Sequence, residues 1–348
     1  MDERALSCKL ITPMFSFGAD QSEPEIRPTE IKGLMRYTYR LSCPTMDVAA
    51  LRQDEAALFG GAAGNTSDDL HASPIRLSIS YTKEPQTARR PLLLHEDCLK
   101  PDEIDNRNKF NSRKCLEQTQ FNIALRLNKA IQTGFDVDID WYKDLLTLSL
   151  LLGGLGKRSR KGRGNVHVTE PVFADINDAM TWICATLNQT AAASSVKIAD
   201  SVFYYDQAAQ KIMPRSSIDL PPKRPFISQI KYGSQLERTV PALEAYLKKL
   251  DFACHNQKKP NNHTYQKQCT GFVSKKDGRL ASPLIISFVP IGNYYWPIYT
   301  FVQAIKQRSE NKQNKSVKQH DASQVKIIYQ QFDKDNAYRD AFIQELNS

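Results

Sequence analysis

The sequence predicts an α+β protein that is built from two tandem domains with insertions. Two observations lead to this prediction. In the first half of the chain, strand-like and helix-like segments follow one another in the order β-α-β-β-α-β. A proline-rich break at Asp219–Pro225 then ends all regular periodicity, and a second set of strands and helices follows it. With 348 residues, the chain is long enough for a substantial core in each domain.

The elements of the first half are predicted in chain order from apolar periodicity. They are a strand at 5–12, a helix at 30–41, strands at 73–80 and 119–127, a helix at 139–152 and a strand at 165–169. Residues 83–117 are polar, charged and aperiodic, which indicates an insertion. The order of the six elements is the ferredoxin-like arrangement, which RNA-recognition modules also use.

The second half predicts a looser copy of the same arrangement. Its predicted elements are a helix at 175–187, strands at 226–232, 284–289 and 296–302, a helix from Val240 to Leu250, a disordered stretch at 306–318 and a last helix at 330–346. We therefore predict an N-terminal ferredoxin-like domain at 1–170, a linker region at 171–225 and a C-terminal ferredoxin-like domain at 226–348.

Composition and cysteine usage limit the class of protein. A hydrophobic content of 41% and a charged content of 24% are ordinary for a soluble globular protein. The seven cysteines are scattered without a C-x-x-C pair, which favours a reducing compartment over a disulfide framework or zinc ribbon. The N-terminus has no apolar leader, and no segment reaches the length of a membrane span. We expect a cytoplasmic protein with no membrane partner.

The most unusual stretch is a glycine-rich, basic loop at 153–164, between the apolar helix and the last strand of the first half. It contains five glycines, five cations and no acid, and it supplies five of the nine net positive charges of the chain. Crowded cations repel one another unless an anion lies among them, and glycine lets a backbone approach its ligand closely. The order helix, loop, strand is the reverse of a P-loop. The expected ligand is a phosphate backbone, and the alternative is a solvated basic turn.

A second basic feature lies on the predicted helix at 30–41. Lys32, Arg36 and Arg40 recur every four residues and form one stripe. Gly33 costs a helix about 1 kcal/mol relative to alanine, which is easier to understand if a ligand must approach that backbone. In a ferredoxin-like fold both helices pack on one face of the sheet, so we expect the stripe and the loop to border one groove.

Several motifs together resemble a known family. They are 10–20, 25–40, 55–61 and the loop at 153–164, with a weaker one at 278–284. These motifs resemble the RAMP superfamily of CRISPR-associated proteins and, within it, subunits of type III-B (Cmr) effector complexes. The resemblance is dense over residues 6–170, and the loop corresponds to the glycine-rich loop of the superfamily.

The resemblance implies a non-catalytic subunit near the 3′ part of the guide RNA, which helps to engage target RNA in antiviral defence. Implied partners are guide RNA, target RNA and other RAMP subunits of the complex. The residues expected to bind RNA are Arg27, Lys32, Gly33, Arg36, Arg40, Gly154, Gly156, Lys157, Arg158, Ser159, Arg160, Lys161, Gly162, Arg163 and Gly164. No catalytic residue, metal or cofactor is expected.

Two alternatives remain from other classes. Some RAMP proteins cleave guide-RNA precursors without a metal, and His167 is then the candidate acid or base. The third reading is a nucleic-acid-binding module unrelated to CRISPR. A zinc site from Cys254, His255, His263 and Cys269 has no standard spacing. The carboxylate pairs at 54–55 and 68–69 are expected to be solvated.

Overall fold

The computed structural model of the chain describes residues 2–18, 22–62, 70–94, 112–196, 201–221, 224–256, 271–274, 278–303, 305–309, 327–331 and 337–347. Its helices are α1 Pro28–Ser42, α2 Val48–Phe59, α3 Ile139–Leu152, α4 Ile176–Ala192, α5 Val240–Asn256 and α6 Ala337–Asn347. The strands up to α3 are β1 Asp2–Leu10, β2 Gly61–Ala62, β3 Leu70–His71, β4 Ile75–Tyr81, β5 Gln86–Pro91, β6 Ser112–Glu117 and β7 Gln120–Leu127. The later strands are β8 Val166–Val168, β9 Phe203–Asp206, β10 Lys211–Pro214, β11 Ile227–Tyr232, β12 Leu236–Glu237, β13 Phe272–Ser274, β14 Gly278–Leu280, β15 Leu284–Ile291, β16 Tyr294–Val302, β17 Ile305–Ser309 and β18 Ile327–Gln331.

The first sheet confirms the predicted ferredoxin-like arrangement. Its strand order is β4-β7-β1-β8, and every neighbouring pair is antiparallel. Leu6, Cys8 and Leu10 of β1 alternate with exposed residues, so one face of the sheet enters the core. α1 and α3 cover that face. The predicted boundaries differ from the observed ones by a few residues at most, with the largest shift at β1.

The second sheet has three strands in the ferredoxin-like order, and strands that come earlier in the chain take the position of the fourth. Its order is β12-β16-β11-β10-β9, with β15 paired to β16. The run β15-β16-β11 corresponds to three strands of the ferredoxin-like order. The place of the fourth is taken by β10, which precedes β11 in the chain. The region 171–225 therefore carries a helix and a hairpin of the second sheet, although the domain boundaries themselves stay a prediction.

Helix α3 lies between the two sheets. Residues on one side pack in the core of the first sheet, and residues on the other side pack with strands of the second. This double burial explains why its C-terminal half is apolar nearly all round. Asp138 caps the N-terminus of the helix, and its carboxylate accepts a hydrogen bond from the Trp141 backbone N–H at 2.8 Å. The helix ends at Leu152, and the basic loop begins at Gly153.

A buried arginine fastens the end of α1 to the second sheet. Arg224 precedes β11 and is 8% exposed. Its guanidinium donates hydrogen bonds to the backbone carbonyls of Arg40, Cys43 and Thr45. Carbonyls at a helix C-terminus lack partners within the helix, so this arginine satisfies groups that burial would otherwise leave unpaired. Burial lowers the pKa of the Arg224 guanidinium to about 10.

The last part of the chain departs from the prediction. Residues 305–309 form β17, which pairs with β18, so the predicted disorder at 306–318 is wrong for its first residues. Residues 310–326 lie outside the described part of the chain. The last helix begins at Ala337 instead of residue 330, because Gln330 and Gln331 pair with β17.

The described residues contain no disulfide bond and no helix that could span a membrane. Five cysteines lie within them, and all five are buried free thiols: Cys8, Cys43, Cys115, Cys184 and Cys254. Among the helices that the structure describes, none is both long enough and apolar enough to cross a membrane.

Candidate nucleic-acid interface

The basic stripe of α1 lines one open cleft. Lys32, Arg36 and Arg40 lie on the same side of the helix, as their spacing predicts. They border a cleft of about 490 Å³. The rest of its lining comes from α1, from the end of α2 and from the segment around β3: Thr29, Gly33, Phe59, Gly60, Gly61, His71 and Ser73. The glycine segment after α2 thus forms a wall of the same cleft.

One carboxylate partly neutralises this stripe. Glu55 of α2 is 5% exposed and accepts hydrogen bonds from the guanidinium groups of Arg36 at 2.5 Å and Arg40 at 2.7 Å. The prediction that Asp54 and Glu55 are solvated is wrong, because α2 packs against α1 and turns both side chains inward. Three cations and one carboxylate still leave the stripe with two positive charges.

Lys32 pairs with a hydroxyl and with no carboxylate among the described residues. Its ammonium donates a hydrogen bond to Ser73 Oγ. Burial, and then the positive charge of Arg36, lower the pKa of Lys32. An anion in the cleft would oppose both effects, since a nearby negative charge favours the protonated ammonium. A bound anion would therefore help to keep Lys32 protonated.

The glycines of the basic loop pack against neighbouring backbone. Gly156, Gly162 and Gly164 have φ of 80°, 73° and 61°, which favours glycine. A Cβ on Gly164 would lie 1.9 Å from the carbonyl oxygen of Leu155, and one on Gly156 would lie 2.6 Å from that of Phe15. These glycines let the loop fold tightly on itself and on the segment after β1. The expectation that they open the backbone to a ligand is corrected for these positions.

Two loop arginines are used inside the protein. Arg158 and Arg163 both form ion pairs with Asp251 of α5, a side chain that is 2% exposed. Burial lowers the pKa of Arg163, while the charge of Asp251 opposes that shift. Arg163 is 4% exposed and Lys161 is 8% exposed. The structure therefore does not gather all five loop cations around one ligand, because burial turns Lys161 and Arg163 away from solvent.

Arg160 is the loop cation that joins the surface of α1. Its guanidinium donates hydrogen bonds to the Tyr37 hydroxyl at 2.9 Å and to the Ser282 carbonyl at 2.6 Å. It also lies 5.2 Å from the centre of the Tyr37 ring, and Arg40 lies 5.9 Å from the same ring. Tyr37 thus brings one cation of the loop and one of the stripe together. Ser282 belongs to the predicted motif at 278–284, which therefore meets the loop.

The remaining predicted residues have separate surroundings. Lys157 is exposed and lies 5.4 Å from the centre of the Phe17 ring. Arg27 precedes α1, and its Nε is buried without a hydrogen-bond partner in the described part of the chain.

The remaining glycines of the loop are packed inside the protein. Gly162 packs near Leu247 and Phe288 of the second half. Gly154 is held against the carbonyl of Arg163, where a Cβ would lie 2.3 Å away. Arg27 and Gly162 do not line the basic cleft.

Glu30 occupies the junction between α1 and the loop. Its carboxylate accepts hydrogen bonds from the Gly156 backbone N–H and, at 2.7 Å, from the Ser16 hydroxyl. A cavity of about 260 Å³ lies beside this junction, between α1, the loop and strands of the second sheet. Gly33 lines both this cavity and the basic cleft. Gly154, Gly156, Ser159 and Arg160 line the cavity from the loop side.

The alternative chemistries gain little from the geometry. His167 lies on β8 opposite Lys9, and burial, followed by the charges of Arg238 and Lys9, lowers the pKa of His167 to about 4. Its imidazole is therefore neutral near pH 7. Among the described residues, no group of three His, Cys, Asp or Glu side chains could hold a metal. Of the zinc set considered above, His263 and Cys269 lie outside the described residues.

Sequence reasoning missed the partners of the cations. Asp251 was detectable in part, since it falls beside Leu247 and Leu250 on the buried side of α5, where an acid requires a cation. Glu55 was detectable in the same way, since it lies beside Leu51 and Leu58 on the buried side of α2. Ser73 and Ser282 carry no comparable signal, because their contacts depend on how distant segments pack.

Comparison with known proteins bears on the family and the fold. Residues 7–167 match the family model of the RAMP superfamily, which confirms the resemblance predicted from the sequence. The CRISPR system Cmr subunit Cmr1-2 of Pyrococcus furiosus is 22% identical over 179 residues, which are 48% of this chain and 96% of that relative.

Two solved structures share the fold along nearly the whole chain. The crystal structure of Cmr1 from Pyrococcus furiosus in its apo form has a TM-score of 0.50 and 14% identity, and the match covers 99% of this chain and 96% of that one. A chain in the cryo-EM structure of the type III-B Cmr-beta complex bound to cognate target RNA has a TM-score of 0.50 and 12% identity, with 98% of both chains covered.

Proposed function

We propose that this chain, whose residues 7–167 match the RAMP superfamily, is an RNA-binding subunit of a type III-B CRISPR (Cmr) effector complex. In this proposal, the basic cleft along α1 holds the ribose-phosphate backbone. The observation that carries the proposal is the position of Lys32, Arg36 and Arg40 in one open cleft, with Arg160 beside them at Tyr37. Four cations against the two carboxylates of Glu55 and Glu30 leave this surface with a positive charge that attracts a polyanion.

The chemistry of these residues suits a positioning role. Lysine and arginine contacts to phosphates fix the position of a strand and carry no sequence information directly. In a guide-directed complex, base pairing between guide and target would supply the sequence. We therefore propose guide RNA, target RNA and neighbouring RAMP subunits as partners, with a place near the 3′ part of the guide. The target RNA in the structure of the similar Cmr-beta complex supports this choice of ligand.

We further propose that the chain is not catalytic. Burial lowers the pKa of His167 to about 4, so near pH 7 the imidazolium that a general acid needs is scarce, and the neutral ring is a weak base. The position of His167 in a strand also favours a packing role.

Crosslinking tests the proposed site. The complex that contains this chain is assembled with guide or target strands carrying 4-thiouridine, irradiated and digested. We expect crosslinked peptides from 28–40 and 153–160. Crosslinks confined to the open face of the first sheet, around Arg76 and Arg126, would place the RNA elsewhere.

A cleavage assay tests the absence of catalysis. The full chain is incubated in excess with a repeat-containing RNA under single-turnover conditions without metal. We expect no specific product. Specific cleavage that His167→Ala abolishes would support the processing endoribonuclease instead.

A further inference from the structure

We infer that the cavity beside the basic cleft binds one unstacked nucleobase of single-stranded RNA. The inference rests on the proposed function and deepens it, because it adds a base site to a backbone site. Phosphate contacts alone would make the surface indifferent to bases. A base site would make it distinguish RNA from a bare sugar-phosphate chain.

The size of the cavity suits a single ring system. Its volume of about 260 Å³ corresponds to roughly nine water molecules at about 30 Å³ each. Pockets for drug-sized ligands start at about 300 Å³, so this cavity is small for a complete nucleotide. A purine or pyrimidine ring is the part of RNA that fits while its ribose and phosphate remain outside.

The lining matches the two surfaces of a base. Apolar side chains from both halves of the protein, among them Leu41, Leu152 and Ile285, would contact the ring faces. Thr300 of β16 also lines the cavity and is 1% exposed. Its hydroxyl is buried without a hydrogen-bond partner among the residues that the structure describes. A buried polar group without a partner costs free energy, and the edge of a base would supply one.

Gly33 connects the base site to the phosphate site. It is exposed, and it lines the cavity on one side and the basic cleft on the other. A Cβ at this position would meet no atom within 4 Å, so the space above this backbone is open. A strand whose phosphates lie against Lys32 and Arg36 can therefore pass over Gly33 and place one base in the cavity.

The test compares RNA with and without bases. The full chain is titrated with decamers of uridine and of adenosine, and with a decamer of abasic ribose phosphates that carries the same charge. At least one base-bearing decamer is expected to bind about fivefold or more tightly than the abasic strand, because a base in the cavity would add contacts with the Tyr37 ring and the apolar lining. Equal binding of all three strands would overturn the inference while leaving RNA binding intact. Failure of every strand to bind would overturn the proposed function as well.

Two variants locate the preference in the cavity. Ser159→Trp fills it from the loop, and Thr300→Val removes the hydroxyl while keeping the shape of the side chain. Both are expected to weaken binding of the base-bearing decamer more than binding of the abasic one. Equal losses for the two strands, or an unchanged preference in Thr300→Val, would overturn the inference. Thermal unfolding of each variant shows whether it is folded, and Thr300→Val carries the test if Ser159→Trp is not.

Discussion

Gly33 is a residue at which stability and RNA binding are expected to oppose each other. It lies inside α1, where alanine is better than glycine by about 1 kcal/mol, and no atom obstructs a side chain there. We predict that Gly33→Leu raises the free energy of unfolding and lowers RNA affinity about tenfold, the equivalent of about 1.4 kcal/mol. Urea unfolding and fluorescence anisotropy measure the two effects. Gly33→Ala is the control, since it stabilises the helix with less bulk. If Gly33→Leu binds RNA like the wild type, no ligand approaches this backbone.

His167 is expected to make stability depend on pH. Its pKa is about 4 in the folded protein, below the ordinary value of 6.5, because burial disfavours the imidazolium. Between these pH values the unfolded chain binds more protons, so the free energy of unfolding falls as the pH drops from 6.5 to 4. We predict that the wild type loses stability relative to His167→Gln over this window. Urea unfolding at several pH values measures it, and a constant difference would show that the imidazole titrates normally.

For single residues, the sequence could predict which cations lie together on α1 but not which groups the cations contact. Lys32, Arg36 and Arg40 form a stripe because helical spacing requires it. Whether Arg158 faces solvent or Asp251 depends on a helix 93 positions later in the chain. Residue type and spacing indicate that an acid on the buried side of a helix needs a cation, but they do not say which cation it contacts.

The pairing of α1 with α2 sets how much charge the cleft presents. Glu55 of α2 accepts hydrogen bonds from Arg36 and Arg40, and its side chain is 6% exposed. We predict that Glu55→Gln tightens RNA binding and steepens its dependence on salt, because the same cleft then presents three positive charges. Each added phosphate contact should steepen the slope of log K against log salt by about 0.7 on single strands. Anisotropy titrations at several salt concentrations measure the slope.

Asp47→Asn is the matched control for that experiment. Asp47 precedes the same helix, and its carboxylate accepts a hydrogen bond from the Ala49 backbone N–H instead of contacting an arginine. The substitution removes the same charge away from the stripe. Equal gains in affinity for both variants would mean that net charge, and not the cleft, determines binding.

The six ferredoxin-like elements of the first half were predictable because each is local. Periodicity alone predicts strands at 73–80 and 119–127 and a helix at 139–152, and the structure has these elements at 75–81, 120–127 and 139–152. Helix α2 and the β5–β6 hairpin were not predicted from the sequence. The placement of β10 beside β11 was not predictable, since a short segment before a proline-rich break gives no sign of which sheet it joins. Strand β17 was mistaken for disorder because its sequence, Ile305–Ser309, is mostly polar and charged.

Across the whole molecule, the basic loop joins the two halves. The backbone of Lys161 forms an isolated parallel β-bridge with Ile286 of β15. In addition, the Arg160 carbonyl accepts a hydrogen bond from the backbone N–H of Ile286. Asp251 adds ion pairs to Arg158 and Arg163. The loop is therefore a structural joint, and its surface residues, chiefly Arg160 and Lys157, are those left for a ligand.

Asp251 is expected to be essential for this joint. Asp251→Asn would leave two guanidinium groups without their carboxylate, and removing one partner of a buried ion pair costs about 3–5 kcal/mol. We predict a loss of that order in the free energy of unfolding, measured by urea denaturation. Glu244→Gln is the control, since Glu244 lies on the same helix with a side chain that is 47% exposed. A loss no larger than that of the control would contradict the role of Asp251.

The central claim is that the cleft along α1 holds ribose-phosphate, and the salt dependence of RNA binding tests it most directly. The triple variant Lys32→Gln, Arg36→Gln, Arg40→Gln is compared with Lys9→Gln, Arg76→Gln, Arg126→Gln, which removes three exposed cations from the open face of the first sheet. For three phosphate contacts, we predict that the first variant weakens binding steeply and reduces the slope of log K against log salt by about 2, while the second changes little. An unchanged slope in the first variant, or equal changes in both, would contradict the account.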